Sequence, residues 1–183
     1  MIPVISKIKN YFKKSAAPAD SHFVWKYIDL DDNLVNEIKD IYLKNIKKDL
    51  TQYGSYQTLD VVVPDIMGYK VAVPALFYMP AGYIPRRSHK DPISHSSLAL
   101  NIPIINCENS RTIFYECEKT DKILYKERIT ETAPIKKCHE IDSYVLDKPI
   151  LLNTQILHAV FNYGNTPRLS ISLRFEKNPV EWI

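Results

Sequence analysis

From Leu59 onward the chain is a succession of short runs rich in Val, Ile, Tyr, Phe and Leu, each closed by Pro, Asn, Asp or Gly. Runs so short and so punctuated suit strands joined by turns. The pattern predicts strands near residues 59–63, 70–79, 83–88, 96–105, 111–117, 122–129, 143–146, 150–153, 156–162 and 168–176. One segment, DLDDNLVNEIKDIYLKNIKKDL, reads as a helix. Asp31, Asp32 and Asn33 offer N-caps, and Leu34, Ile38, Ile41 and Ile46 form an apolar stripe. Lys47 and Lys48 suit the negative end of its dipole. Many short strands with one principal helix predict a mainly β fold, an antiparallel sandwich or barrel with the helix covering one sheet. Pro74, Pro103 and Pro149 mark edges or bulges within it.

A length of 183 residues suits one domain, here taken as 21–183, preceded by a basic amphipathic segment and linker over 1–20. In MIPVISKIKNYFKK, Ile5, Ile8 and Phe12 recur at helical spacing between lysines. Such a helix lies on a membrane surface or docks on its own domain or on a second subunit, which leaves a homo-oligomer open. A net charge of +3 is too small to argue for nucleic acid. No apolar run is long enough to span a bilayer, and the N-terminus lacks a secretory hydrophobic stretch. The three cysteines, Cys107, Cys117 and Cys138, are odd in number and contain no CxxC. That argues against a disulfide framework or a structural zinc and suits a reducing compartment, so the protein is expected in the cytoplasm. Gly54, Gly68, Gly82 and Gly164 lie too far apart to build a phosphate-cradling loop.

The chemistry concentrates in two places. In RRSHKDP, His89 and Asp91 are two residues apart, so an extended backbone points both side chains the same way. Far along the chain, ILHAVFNYGNTPRLSISLRF holds His158 inside an apolar run. Two imidazoles and one carboxylate on one face of a cation leave its other positions open, the arrangement of non-haem Fe(II) oxygenases. Arg168, Ser170, Ser172 and Arg174 share a strand face. A guanidinium there can grip a carboxylate through two parallel hydrogen bonds. The short turn NYGNTP predicts that the last two strands pair as a hairpin, which sets Ser172 or Arg174 opposite His158 and Arg168 nearer the turn. Asn101, on the face of Ala99, either lines a cavity or is an edge amide, and Tyr115 is expected to reach the same cavity. His95 has no carboxylate spaced to join it, and His139 beside Cys138 has no second pair. Arg86 and Arg87 either meet an anionic substrate or are simply solvated.

The order SHKD, then LHAVFNYGNTPRLSISLRF, with SLALNIPIINCENSRTIFYE between them, resembles the 2-oxoglutarate/Fe(II)-dependent oxygenases of the double-stranded β-helix (jelly-roll, cupin-like) fold. The likeness covers about residues 60–176 and lies in strand order and motif placement. The segments ALNIP and CENSRTIFYE are similar to aspartyl/asparaginyl-hydroxylase-like and phage-encoded members. The resemblance implies His89, Asp91 and His158 as iron ligands and Arg168 as the residue binding the far carboxylate of 2-oxoglutarate. It also implies Ser170 as the Ser of an Arg-x-Ser pattern. It further implies a dioxygenase that hydroxylates a C–H bond while 2-oxoglutarate becomes succinate and CO2. Two alternatives stand beside it: a cupin-type metal enzyme that does not use 2-oxoglutarate, and a metal-free jelly-roll binding or structural protein.

Overall fold

The computed structural model describes residues 23–46, 56–92, 95–125 and 128–183. The expected N-terminal helix over 1–14, with Lys47 and Lys48, lies outside them. The described chain is mainly β, with two six-stranded antiparallel sheets and one α-helix. The strands are β1 (Trp25–Tyr27), β2 (Tyr56–Thr58), β3 (Val71–Met79), β4 (Arg87–His89), β5 (Leu98–Ile105) and β6 (Ser110–Cys117). They continue with β7 (Asp121–Tyr125), β8 (Arg128–Pro134), β9 (Cys138–Tyr144), β10 (Ile150–Asn153), β11 (Leu157–Asn162) and β12 (Arg168–Phe175). One sheet runs β1-β10-β5-β12-β3-β2 and the other β7-β8-β4-β11-β6-β9.

Eight of these strands pair in a nested way: β3 with β12, β4 with β11, β5 with β10 and β6 with β9. The outermost strand meets the outermost and the innermost the innermost, as in one long hairpin rolled up so that successive pairs alternate between sheets. The connection from β11 to β12 therefore passes from one sheet to the other. This corrects the expectation that NYGNTP closes a two-stranded hairpin. The turn is instead organised by Asn162, fully buried. Its Nδ2 donates to the carbonyls of Pro80 and Thr166, each at 2.9 Å, and its Oδ1 accepts from the Gly164 amide at 3.1 Å. A Cβ on Gly164 would sit 3.2 Å from that Oδ1, so the close turn favours glycine.

The helix α1 (Asp32–Asn45) begins at Asp31, whose carboxylate accepts from the amides of Asn33 and Leu34 at 2.9 and 3.2 Å. It buries Val35, Ile38 and Tyr42. These join Leu76, Leu100, Leu151, Leu169, Ile171, Leu173 and Phe175 in one apolar cluster on the outer face of the first sheet. The alternate residues of β12 (Arg168, Ser170, Ser172 and Arg174) turn inward, and all eight residues of that strand are buried. A second apolar cluster, around Phe114, Tyr144, Ile150 and Leu152, fills part of the space between the sheets.

Several strand expectations are corrected. Residues 59–63 form no ladder; Leu59, Val61 and Val63 pack on the helix-side cluster as extended loop, and the neighbouring strand is β2. The stretch read as one strand over 122–129 is a hairpin, β7 and β8, and β9 starts earlier than expected. Strand β1 was not expected; its register against β10 brings Trp25 opposite Leu152. Pro103 does mark an irregularity, where the register of β5 against β12 shifts. Cys117 and Cys138, directly opposite on β6 and β9, form a disulfide, while Cys107 is free and buried. That overturns the argument against disulfides, and the expectation of a reducing compartment loses the ground it stood on. No helix among the described residues is long and apolar enough to cross a membrane.

Because Ile38 is fully buried between α1 and the first sheet, Ile38→Ala should lower unfolding free energy by about 2–5 kcal/mol in urea melts. Leu43→Ala, at a half-exposed position of the same helix, should change it by less than about 0.5 kcal/mol. Equal effects would mean that α1 does not pack as described.

Candidate metal centre

The register of β11 against β4 places His158 directly opposite His89. Cross-strand neighbours stand about 5 Å apart, and the two imidazole centroids are 4.8 Å apart. Asp91 follows β4 by two residues and turns the same way. Its Oδ1 lies 3.2 Å from His89 Nε2 and 3.8 Å from His158 Nε2. The three ligand atoms all fall within 4.8 Å of one another. Donors about 2.1 Å from one cation and at right angles would be about 3 Å apart, so a small contraction of this group closes it around a metal. These residues, singled out separately in the sequence, are brought into one group.

The hydrogen bonds prepare each donor. His158 Nδ1 lies 2.9 Å from the carbonyl of Ile156. A carbonyl only accepts, so Nδ1 carries the proton and Nε2 keeps its lone pair for a cation. Asp91 is held from three sides. Its amide donates to the Thr154 carbonyl at 3.0 Å, its carbonyl accepts from Gln155 Nε2 at 3.0 Å, and its Oδ2 accepts from Arg174 Nη2. Arg174 is itself fixed by Thr154 Oγ1 at 2.8 Å, which donates in turn to the Ser97 carbonyl at 2.8 Å. One carboxylate oxygen is thus taken by Arg174, and the other faces the imidazoles as a single-oxygen ligand.

Burial alone would raise the Asp91 carboxyl, but Arg174, a hydrogen bond from His89 and the two imidazoles together hold it well below the usual carboxylate range. His158 is pushed down to about 4, chiefly by burial, with Asp91 opposing and His89 adding. At neutral pH the group therefore presents an ionised carboxylate and an uncharged His158, the forms a metal needs.

Next to this group, between the sheets, lies a small cavity of about 20 Å³ lined by Asn101, Thr112, Tyr144, Arg168, Ser170 and Ser172, with Asp91 and His158 at its margin. Arg168 is 2 % exposed, and among the described residues it pairs with no carboxylate. Arg168 Nε and Asn101 Oδ1 are two of the four buried side-chain polar atoms without a hydrogen-bond partner among the described residues. Asn101 Nδ2 donates to Tyr144 Oη over 3.5 Å. Burial raises the Tyr144 hydroxyl, which Thr112 and the Arg168 charge partly offset.

Of the other expected site residues, Tyr115 points away from the cavity. It lies among Ile113, Ala133 and Leu157 on the outer face of its sheet, because the inward positions of β6 are Thr112 and Phe114. Its hydroxyl is raised to about 12, first by burial and then by Glu140. Sequence reasoning did not single out Thr112, Tyr144 or Thr154. The first two sit in predicted strands on the inward alternation, which is the signal that finds them. Thr154 lies in a turn and has none. No protein-family model matches the chain, and no curated protein matches its sequence.

Two outcomes follow. Titration with Mn(II), followed by electron paramagnetic resonance, should show one site that is lost in His158→Ala. Arg174→Gln should weaken it about 10–100-fold by freeing Asp91, and tighter binding would instead mean that Arg174 competes with the cation. The second outcome concerns acid. Unfolded, His158 takes a proton near pH 6.5, but folded only near 4. Stability of the metal-free protein should thus be full above about pH 6.5 and fall as the pH drops toward 4. Asp91, whose folded form resists protonation, adds to the loss below about pH 4. Urea melts of His158→Gln should show a flatter decline between pH 6.5 and 4; an unchanged slope would assign the dependence elsewhere.

Proposed function

We propose that the protein is a jelly-roll Fe(II)/2-oxoglutarate-dependent dioxygenase that hydroxylates a C–H bond of its substrate. The nested pairing of β3 to β12 through β6 to β9 is the pairing of a rolled long hairpin, and it supports the jelly-roll reading. One observation carries the functional reading: Arg168, a buried guanidinium with no acid partner among the described residues, opens on the same cavity as Asp91 and His158 of the metal group. Leaving a buried charge unpaired costs several kcal/mol, so the position makes physical sense when an anion completes it. A diacid that binds a metal by one end and a guanidinium by the other would do so, and 2-oxoglutarate is such a diacid.

In this reading His89, Asp91 and His158 hold Fe(II). Arg168 grips the far carboxylate, with Ser170, Asn101 and Tyr144 offering hydroxyl and amide groups along the cavity wall. Arg174 keeps Asp91 ionised and leaves it one oxygen for the metal. Fe(II) with 2-oxoglutarate supplies O2 activation coupled to formation of succinate and CO2. The apolar clusters flanking the inner cavity keep water from Arg168 and His158, which strengthens their charge interactions, whereas His89 stays accessible from outside.

One observation favours the alternative of a cupin-type metal enzyme that does not use 2-oxoglutarate. At about 20 Å³ the inner cavity holds about one water, so a five-carbon diacid enters only if lining side chains such as Phe77 and Arg168 change rotamer. Anaerobic titration with Fe(II) and then 2-oxoglutarate decides between the two. The dioxygenase should develop the weak visible charge-transfer band of the chelate. Arg168→Ala should weaken 2-oxoglutarate binding by about 2–5 kcal/mol and leave Mn(II) affinity nearly unchanged. The purified protein should also release succinate slowly without substrate, and His158→Ala should not. No band, and no difference between wild type and Arg168→Ala, would leave the alternative.

A further inference from the structure

On the other side of the metal group the structure opens into a larger cavity of about 660 Å³, within the range of small-molecule sites. His89 and Asp91 border it. Resting on the metal-centre reading above, we propose that this cavity receives the group to be oxidised, and that the group is uncharged and mainly apolar. It would be an aliphatic or aromatic body, free or carried on a side chain.

The walls carry the argument. Tyr56, Phe77 and Tyr83 contribute rings, and Val73, Met79 and Ile123 contribute aliphatic surface. Three cations also line the cavity, Arg87, Lys90 and Arg174. Each already has a carboxylate: Asp121 for Arg87, Glu131 at 2.8 Å for Lys90, and Asp91 for Arg174. Three cations against three carboxylates leave this wall without excess charge, and the two positive charges of the cation in the reading above would be cancelled by the 2-oxoglutarate dianion. A charged ligand would lose its hydration against aromatic and aliphatic walls without gaining an unpaired partner among these groups.

The same ion pairs fix the wall. Asp121 and Glu131 belong to β7 and β8, whereas Arg87 and Lys90 belong to β4 and the residue after it. With Arg87 Nε donating to Thr132 Oγ1 at 3.1 Å, they tie the β7–β8 hairpin to the strand that carries His89. Ile123 on β7 and Thr130 on β8 face the cavity from that hairpin. The cavity's shape is therefore held by the element that also places a metal ligand.

The test uses the purified full chain and three probes of one shape: 2-naphthylmethanol, 2-naphthoate and 2-naphthylmethylammonium. Their own fluorescence reports binding, and relaxation of their protons by protein-bound Mn(II) reports closeness to the metal. In metal-free protein the neutral probe should bind at least about tenfold more tightly than either ion, and with Mn(II) bound its protons should be relaxed. Ile123→Glu, at a half-exposed edge position that does not endanger folding, should weaken the neutral probe about tenfold. N-acetyl-3-(2-naphthyl)alanine amide separates the two sources of the group. Tighter binding than the alcohol indicates a peptide side chain, and weaker binding a free molecule. Equal or tighter binding of an ionic probe by the metal-free protein would overturn the inference. So would a neutral probe that binds without relaxation in protein shown to hold Mn(II). Failure of Mn(II) to bind at all would instead remove the metal-centre reading, and this inference with it.

Discussion

Residues His89 and His158 are separated by 69 positions in the sequence, yet they are register partners on adjacent strands. The rest of the arrangement depends on that alignment. Side chains on a strand alternate between faces, so a slip of one residue would turn His158 outward among Leu157, Ala159 and Phe161. The same slip would leave Asp91 facing Arg174 with no imidazole beside it. The register is protected because β11 is also held by β6 over six residue pairs, and an apolar cluster on the outer face penalises any shift. The metal group thus takes its precision from hydrophobic packing behind it.

The first sheet separates two environments. On its outer face α1 and the odd residues of β12 make a dry apolar layer; on its inner face the even residues of the same strand present two arginines and two serines. A strand buried on both faces but apolar on only one is costly unless the polar groups find partners. Arg174 finds two, Asp91 and Thr154. Among the described residues Arg168 finds no acid, and this asymmetry between two arginines on one strand face separates a residue that supports the group from one whose buried charge is left without a carboxylate.

Much of this was legible in the sequence because strand alternation is a local property. The face shared by Arg168, Ser170, Ser172 and Arg174, the convergence implied by His89 and Asp91, and the single covering helix all follow from periods of two or of about four residues. What was not legible depends on which strands become neighbours. The turn NYGNTP reads as a hairpin because it is short, but strand pairing is decided by burial over the whole domain. The expected pairing set Ser172 or Arg174 opposite His158 in a hairpin that does not form; Arg174 instead reaches the metal group from the other sheet, through Asp91. Tyr115 was misplaced because β6 carries apolar side chains on both faces, Phe114 inward and Ile113 and Tyr115 outward, so alternation does not say which face meets the cavity. The disulfide was missed because two cysteines far apart in sequence show nothing of being opposite in a ladder.

That disulfide closes a loop with a sequence separation of 21, and the loop contains the whole of β7 and β8. The hairpin that walls the larger cavity is therefore an excursion tied off at its base, inserted at the tip of the rolled hairpin between β6 and β9. The cost of closing a loop grows only slowly with its length, so the tied excursion tolerates changes in size. Its two strands differ in what they answer to: the ladder of β8 sets Thr132 opposite His89, whereas β7 lies at the edge of the sheet and pairs with β8. The part that can be exchanged through descent is therefore the outer strand, with Ile123 on the cavity wall, while the inner strand belongs to the frame that holds His89.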